Sequence, residues 1–152
     1  MFIPIALVII ASFLFMEFIA WSNHKYLMHG FLWALHRDHH ENARKGIRPV
    51  LEKNDAFFVI YATPAIILLV TGISGGFPYS IAAGAGISLY GITNFTIHDV
   101  IYHKRLPLFR NFRNSYIRAA IRAHYAHHNP HTPEDFSNFG LLIFPLKYFK
   151  EH

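Results

Sequence analysis

Cysteine is absent from this chain of 152 residues. Without thiols, the chain has no disulfide framework, carries no iron–sulfur cluster and offers no thiolate ligand to a metal ion. If the protein catalyses a redox reaction, its electrons must therefore come from a separate partner protein.

Charge is also scarce, since only 15% of the residues are Asp, Glu, Lys or Arg, whereas 53% are hydrophobic and 16% are aromatic. Such values are shifted towards those of membrane proteins. A chain of this length forms one domain, so we predict a single unit over residues 1–152.

Two long stretches contain almost no charge. Met1–Trp21 has Glu17 as its only charged residue, and Ala56–Ile97 has none. The first stretch is long enough to cross a bilayer once, and the second is long enough to cross it twice. Glycines between 72 and 76, followed by Pro78, mark a turn inside the second stretch. We therefore predict membrane spans at about 2–22, 56–72 and 78–97.

A fourth apolar run, at 139–146, is too short to span a bilayer. It is re-entrant, interfacial or part of the wall of a substrate channel. We predict an all-α integral membrane protein with three to four transmembrane helices. Gly30 ends or kinks the first helix, Phe31–His40 forms a second short helix, and Phe109–His128 forms an amphipathic one.

The basic residues indicate the orientation. None of the 14 Lys and Arg precedes residue 23 or lies in the 72–78 turn. The positive-inside rule then places 23–55 and 98–152 in the cytoplasm and the N-terminus outside, in the cell inner membrane, with Lys104 and Arg105 marking the interface. The net charge of +5 belongs to this cytoplasmic face. It indicates contact with a membrane surface and not with nucleic acid.

Histidine is the residue that the chain has in excess. Ten of the 12 histidines fall in four clusters, and two patterns alternate along the chain. The H-x4-H pattern is formed by His24 with His29 and by His98 with His103. The H-x2-H-H pattern is formed by His36, His39 and His40, and again by His124, His127 and His128.

The spacing of these clusters predicts metal binding. On an α-helix, positions i, i+3 and i+4 share one face, so each H-x2-H-H cluster directs three imidazoles at a common point. The members of an H-x4-H pair lie about 140° apart, so they either grip one site from two sides or reach two metals. Imidazole suits Fe, Zn, Cu and Ni. Ten imidazoles are too many for one ion, so we predict two metal ions a few Å apart on the cytoplasmic face.

Three further polar residues are candidates for catalysis. Glu17 lies in an apolar span, where it either hydrogen-bonds a ligand imidazole or is a carboxyl group near a helix end. Asn94, four residues before His98, either assists the metal site or is a packing amide. Asp99, like Asp38, either offsets the charge of the metals or is a surface charge beside a ligand. Five aromatic residues either line a substrate channel or belong to the membrane core: Phe18, Trp21, Trp33, Phe95 and Tyr102.

The order of apolar segment, H-x4-H, H-x2-H-H, apolar hairpin, H-x4-H and H-x2-H-H resembles the fatty acid hydroxylase superfamily of membrane di-iron enzymes. The sequence around the histidines resembles the bacterial beta-carotene 3-hydroxylases more closely, over about residues 14 to 145. The segments that carry this resemblance are HKYLMHGFLWALHRDHH, EKND, IHDVIYHKR and RAHYAHHNP followed by FSNFG.

The resemblance implies O2-dependent hydroxylation at C3 of beta-ionone rings, which converts beta-carotene through beta-cryptoxanthin into zeaxanthin. It also implies an apolar carotenoid substrate from the bilayer and two iron ions held by all ten clustered histidines. The resemblance further implies that electrons come from ferredoxin, through an NAD(P)H-linked reductase. An external electron donor agrees with the absence of cysteine from this chain. Zinc also binds imidazole, so a purified sample can carry zinc in place of iron.

Two other functions compete with this one. The first is an enzyme of the same superfamily that hydroxylates or desaturates a fatty acid, sphingolipid or sterol. The second is a non-enzymatic membrane metal-binding protein. A transporter is expected to place its ligands along a path through the middle of the membrane, whereas these histidines cluster at one end of the predicted spans.

Overall fold

The computed structural model describes residues 2–108, 111–130, 132 and 136–150. All regular structure within these residues is helical, with no strand among them, which confirms the all-α prediction for the described part of the chain. The α-helices are α1 (Phe2–Asn23), α2 (Trp33–Lys45), α3 (Ala56–Gly75), α4 (Pro78–Asn94) and α5 (Ser115–His128).

Two π-helical segments interrupt the α-helical pattern, at His24–Phe31 and at Phe95–Tyr102. The first extends α1 and ends in a kink, because Gly30 leaves helical backbone angles at φ −108° and ψ −121°. The predicted break at Gly30 is therefore present, and it turns the chain into α2. The second π-helical segment extends α4.

Helices α3 and α4 form a hairpin. Gly76 ends α3 at φ +68°, in the left-handed region that a residue without Cβ adopts at low cost. The Phe77 amide donates to the Gly72 carbonyl at 2.8 Å, and Pro78 opens α4, where its missing N–H would have no helical partner in any case.

Helix α4 packs against both α1 and α3. Gly86 faces α1, since a Cβ there would lie 2.5 Å from the carbonyl oxygen of Ile9. Gly84 faces α3, since a Cβ there would lie 3.0 Å from the carbonyl oxygen of Ala65. The small residues let the backbones approach closely, as they do between membrane helices.

Two helical stretches of the described chain are long and apolar enough to cross a membrane, Phe2–Phe31 and Lys53–Gly75. Their outer faces are apolar, and Leu7, Leu14 and Ile67 are all more than half exposed. The third predicted span, at 78–97, is formed by α4 of 17 residues and the start of the second π-helical segment, and its place in the membrane stays a prediction.

Helix α5 begins later than the predicted Phe109–His128. Asn114 has an extended backbone, and its side chain accepts hydrogen bonds from the amides of Tyr116 and Ile117, so that the helix starts at Ser115. Residues 111–114 are not helical, and Phe109 and Arg110 lie outside the described residues.

Candidate metal centre

The ten clustered histidines meet in two groups of five, and within each group the ligand nitrogens all lie within 4.8 Å of one another. The first histidine group is His24, His29, His36, His40 and His127. The second histidine group is His39, His98, His103, His124 and His128. The groups are adjacent, since the His40 and His128 ring centroids are 4.2 Å apart.

The H-x2-H-H clusters do not direct all their imidazoles at a common point, so that prediction was wrong. His36 and His40 belong to the first group, whereas His39 between them belongs to the second. Relative to position i, position i+4 lies about 40° one way round an α-helix and position i+3 about 60° the other way. With two sites so close together, this difference divides the cluster between them, and the cluster on α5 is divided in the same manner.

Each H-x4-H pair lies within one group because the backbone there is π-helical. The hydrogen bonds of a π-helix join residues five apart, as the His103 amide and His98 carbonyl show at 3.0 Å. Residues five apart thus come round to the same side, and the ring centroids are 5.1 Å apart for His24 and His29 and 4.6 Å apart for His98 and His103. Each H-x4-H pair therefore serves one site and does not reach two.

His24 and His36 of the first group hold their protons on the side away from the group. Nδ1 of His24 lies 3.0 Å from the Phe139 carbonyl oxygen, and Nδ1 of His36 lies 2.7 Å from Oδ1 of Asn54. Both partners are acceptors, so each Nδ1–H donates to them and each Nε2 is left with a lone pair. These two Nε2 atoms nevertheless face each other at 3.1 Å.

Two lone pairs at this distance repel each other unless a cation lies between them. Nε2 of His127 also faces inwards, 3.1 Å from Nε2 of His29, because its Nδ1 donates to the Ser137 carbonyl at 2.6 Å. In the second group, Nε2 of His39 and both ring nitrogens of His128 are buried without a hydrogen-bond partner among the described residues. Buried nitrogens are rarely left in this state, and a metal ion in each group would satisfy them.

Buried imidazoles of both H-x2-H-H clusters are neutral, which is the form that binds metals. Burial, with a smaller contribution from neighbouring imidazoles, lowers the pKa of His36 to about 3 and that of His127 to about 3. Burial also lowers the pKa of His40. These side chains therefore present lone pairs at physiological pH.

The second group has carboxylates where the first has neutral acceptors. Nδ1 of His39 donates to Oε2 of Glu52 at 2.7 Å, and Nδ1 of His98 donates to Oδ2 of Asp99 at 3.2 Å. A carboxylate behind an imidazole makes it a more basic ligand than a carbonyl does. The two groups thus share a ligand number and differ in the charge that lies behind the ligands.

Asp99 is fully buried and needs a counter-charge. Arg105 supplies it, with 2.6 Å between its guanidinium and Oδ1 of Asp99, and it also binds Asp55 at 2.8 Å. Burial by itself would raise the pKa of Asp99, but the hydrogen bonds from His98 and Arg105 and the charge of Arg105 outweigh burial and lower the pKa. Asp99 is therefore ionised at neutral pH.

An apolar cavity of about 490 Å³ reaches both groups. Its walls come from α1, α3, α4 and residues 139–141, and His24 and His36 of the first group and His98 and His124 of the second lie on its surface. A smaller cavity of about 250 Å³ reaches His40 and His128 and is lined by Trp33, Arg44 and Phe136.

Sequence comparison finds a family for this chain. The family model described as fatty acid hydroxylase matches residues 9–147. The chain belongs to the fatty acid hydroxylase family. It is 37% identical over 140 residues to the beta-carotene hydroxylase of Pantoea ananas, which covers 92% of this chain and 77% of that one. It is 34% identical to the beta-carotene hydroxylase of Paracoccus sp. (strain PC1), over 91% of this chain and 83% of that one.

Plant members of the family are longer. The chain is 38% identical to the chloroplastic beta-carotene 3-hydroxylase 1 of Arabidopsis thaliana over 135 residues, which is 86% of this chain and 41% of the plant protein. No solved structure gives a significant match.

Within this family fold, Glu17 does not bind a ligand imidazole as predicted. Its carboxylate instead accepts hydrogen bonds from the Tyr90 hydroxyl and from the backbone amides of residues 141–143. Glu17 is buried in the middle of the fold, so it is not a solvated carboxyl group at a helix end either.

The other predicted residues fall into different places. Asn94 lines the large cavity beside Tyr90. Asp99 is a buried partner of His98 and not a surface charge. Asp38 joins α2 to the segment that precedes α3, since it accepts hydrogen bonds from the amides of His39 and Lys53 at 2.9 and 2.8 Å.

Some of the aromatic residues predicted to line a channel lie on a cavity surface, and others do not. Phe95 is on the surface of the large cavity, and Trp33 is on the surface of the smaller one. Phe18, which is 57% exposed, lies on the outer face of α1. Tyr102 stacks on His124 at 4.5 Å and donates to the Leu141 carbonyl.

Glu52, Asn54 and Arg105 were not predicted as functional residues. Glu52 and Asn54 lie within the EKND segment, and their signal is a cluster of polar side chains just before a predicted span. Arg105 was assigned to the membrane interface, but it joins Asp99 to Asp55. Its place at the membrane interface stays a prediction, and the structure adds that the side chain bridges two carboxylates.

Proposed function

We propose that this chain hydroxylates the beta-ionone rings of carotenoids at C3, with two iron ions and O2, and so converts beta-carotene through beta-cryptoxanthin into zeaxanthin. The single observation that carries the proposal is that an apolar cavity between membrane-type helices ends at both histidine groups. The relatives named beta-carotene hydroxylase support the choice of substrate.

The first histidine group would hold one iron ion and the second group the other. When bound, the two ions supply the oxidising power from O2 that protein side chains cannot provide. The inward lone pairs fit iron and zinc equally well in chemical type, so zinc can replace iron in a purified sample.

The protein's own side chains hold the imidazoles in one protonation state. Asn54 keeps the proton of His36 on Nδ1, and Glu52 does the same for His39. Each imidazole is thereby oriented with Nε2 inwards, because the outer hydrogen bond fixes both the tautomer and the rotation of the ring. Arg105 keeps Asp99 charged and oriented towards His98.

The large cavity would take one end of the substrate from the bilayer. Its surface is apolar along α3 and α4, with residues such as Phe57, Ala65 and Ile87, and becomes polar only where it meets the histidines. An apolar ring loses little free energy when it leaves the bilayer for such a wall, because lipid tails and the wall are similarly apolar. Tyr90 and Asn94 are polar residues on this cavity surface.

We propose three membrane spans, at about 2–22, 56–72 and 78–97, with the N-terminus outside and the histidines at the cytoplasmic side of the cell inner membrane. The absence of basic residues before 23 and in the 72–78 turn supports this orientation. A ferredoxin-type protein with an NAD(P)H-linked reductase would supply electrons at the same cytoplasmic face, where an acidic donor meets the basic residues.

Pigment analysis tests the proposal. The chain is expressed in bacteria that accumulate beta-carotene, beside the variants His39→Ala and His127→Ala, one from each group, and His152→Ala as a control histidine outside the four motifs. We expect zeaxanthin from the intact chain and the control only. Unchanged beta-carotene, with folded protein in the membrane, contradicts the carotenoid proposal.

The description of the family model favours one second function, the hydroxylation of a fatty acid or another lipid. The same bacteria serve to test it, because a hydroxylated or desaturated fatty acid, sphingolipid or sterol in place of zeaxanthin identifies this activity. A protein that binds metal and turns over neither class of substrate would be a non-enzymatic metal-binding protein.

A further inference from the structure

Glu17 is the one charged residue of α1, and it binds a distant part of the chain. Its Oε1 accepts hydrogen bonds from the backbone amides of Leu141, Leu142 and Ile143 at 3.1, 2.8 and 3.1 Å. Its Oε2 accepts from the Tyr90 hydroxyl at 2.8 Å. The side chain is 5% exposed, so the carboxylate is buried and every one of these contacts uses it as an acceptor.

The backbone that Glu17 binds is part of a non-helical segment, residues 136–143, which we call the strap. The strap is held on its other side by hydroxyl groups, since Tyr102 donates to the Leu141 carbonyl at 3.1 Å and Tyr116 donates to the Leu142 carbonyl. Gly140 lies between the two sets of contacts, because a Cβ there would come 3.3 Å from Oε1 of Glu17.

The strap also contacts the first histidine group. The carbonyl oxygens of Ser137 and Phe139 accept from Nδ1 of His127 and of His24, at 2.6 and 3.0 Å. The Phe139 ring lies 5.5, 5.2 and 5.2 Å from the rings of His24, His29 and His127. Three of the five histidines of the first group therefore depend on where the strap lies.

We propose that Glu17 is a positioning residue for the first histidine group, which acts through the strap and touches no imidazole itself. It anchors residues 141–143, so that the carbonyls of residues 137 and 139 keep His24 and His127 in the tautomer that directs Nε2 inwards. The inference rests on the proposed function, because it assumes that this group holds a metal ion.

A buried carboxylate in an apolar helix is costly unless its oxygens are satisfied. Three successive amides form a concave donor surface of the kind that binds anions, and here the anion is a side chain of the first predicted span. The second histidine group depends less on the strap among its described contacts, since Glu52 and Asp99 accept from His39 and His98. Its link to the strap is indirect, through Tyr102, which stacks on His124 and donates to the Leu141 carbonyl. Loss of Glu17 should therefore weaken the first metal site more than the second.

The experiment compares Glu17→Leu, Glu17→Gln, Tyr90→Phe and Gly140→Ala in the purified full chain loaded with ⁵⁷Fe. Iron per chain and the Mössbauer spectrum report the two sites separately, and hydrogen exchange reports the amides of 141–143. For Glu17→Leu we expect iron affinity at the first group to fall about 10–100-fold, so that about one ion per chain remains. The same amides should exchange faster, and those of α3 should not.

Glu17→Gln keeps an acceptor oxygen for the amides and should retain most of the iron, which a role based on charge alone would not allow. Gly140→Ala should reproduce the Glu17→Leu spectrum, because its Cβ would lie 2.5 Å from the Ile143 carbonyl oxygen and 3.3 Å from Oε1 of Glu17 and so displace the strap. If Glu17→Leu does not fold, Tyr90→Phe and Gly140→Ala carry the test, since they leave Glu17 in place.

The outcomes separate the inference from the function beneath it. An intact chain that binds no iron overturns the proposed function. Two unchanged iron signals in Glu17→Leu or in Gly140→Ala, with two ions in the intact chain, overturn the role of Glu17 alone. Equal loss of both signals also overturns it, because the direct contacts of the strap among the described residues are with the first group.

Discussion

Nδ1 of His39 lies 2.7 Å from Oε2 of Glu52, and the two side chains are 1% and 5% exposed. This pair joins a ligand of the second histidine group to a carboxylate 13 residues further along the chain. The corresponding acceptors of the first group are the Asn54 amide oxygen and two backbone carbonyls. The two metal sites are therefore built with different charge behind similar ligands.

Replacement of Glu52 by Gln should weaken the second site. Gln keeps an acceptor oxygen but removes the negative charge that makes His39 a basic ligand, so we expect iron affinity at this site to fall about 10–100-fold. Iron per chain and zeaxanthin yield measure the effect. Glu41→Gln is the matched control, since Glu41 is 40% exposed and pairs only with surface Arg37 and Lys45 at 3.6 Å. Equal iron content in the two variants would contradict the role of Glu52.

Replacement of Asn54 by Leu should weaken the first site. The change removes the acceptor of the His36 Nδ1–H at 2.7 Å, so the proton is free to move to Nε2 and compete with the metal. Asn54→Asp restores an acceptor and should recover iron binding. The Mössbauer signal that is lost here should be the one that Glu52→Gln preserves, and loss of the same signal in both variants would argue against two separate groups.

Replacement of Arg105 by Met should destabilise the fold. Asp99 is fully buried and Asp55 is partly buried, and Arg105 binds both at 2.6 and 2.8 Å. Removal of one partner from a buried ion pair costs about 3–5 kcal/mol. Thermal unfolding in detergent measures the change. Arg37→Met, at a position with 61% side-chain exposure, should leave the midpoint almost unchanged, and equal midpoints would show that Arg105 is not a structural bridge.

A large side chain at Gly91 should block the substrate and spare the metals. Gly91 lines the large cavity, and a Cβ there meets no atom within 4 Å. We expect Gly91→Phe to abolish zeaxanthin formation while iron per chain is unchanged. Leu89→Phe is the control, because Leu89 is 49% exposed and lies on another face of α4. Full activity in Gly91→Phe would mean that the substrate uses another path.

Much of this protein could be predicted from its sequence because the signals are local. Uncharged stretches longer than a bilayer crossing predict helices that bury their own backbone polar groups, and the turn before Pro78 follows from glycine and proline. The ten histidines identified both groups as a set, since so many imidazoles with helical spacing have no other common explanation. The break at Gly30 is local in the same sense.

The tertiary structure alone decided how the histidines are shared. His39 and His127 belong to the other group because two sites lie beside each helix. The helical angles allow this division, but the spacing alone does not show that a second site is close enough to use it. The π-helical turns place His24 with His29 because hydrogen bonds five residues apart replace the usual ones. Glu52, Asn54 and the strap became partners of the ligands through contacts 13, 18 and 115 residues apart in sequence. Spacing along a chain determines which residues can share a helix face, whereas the packing of separate segments determines which buried donor meets which acceptor.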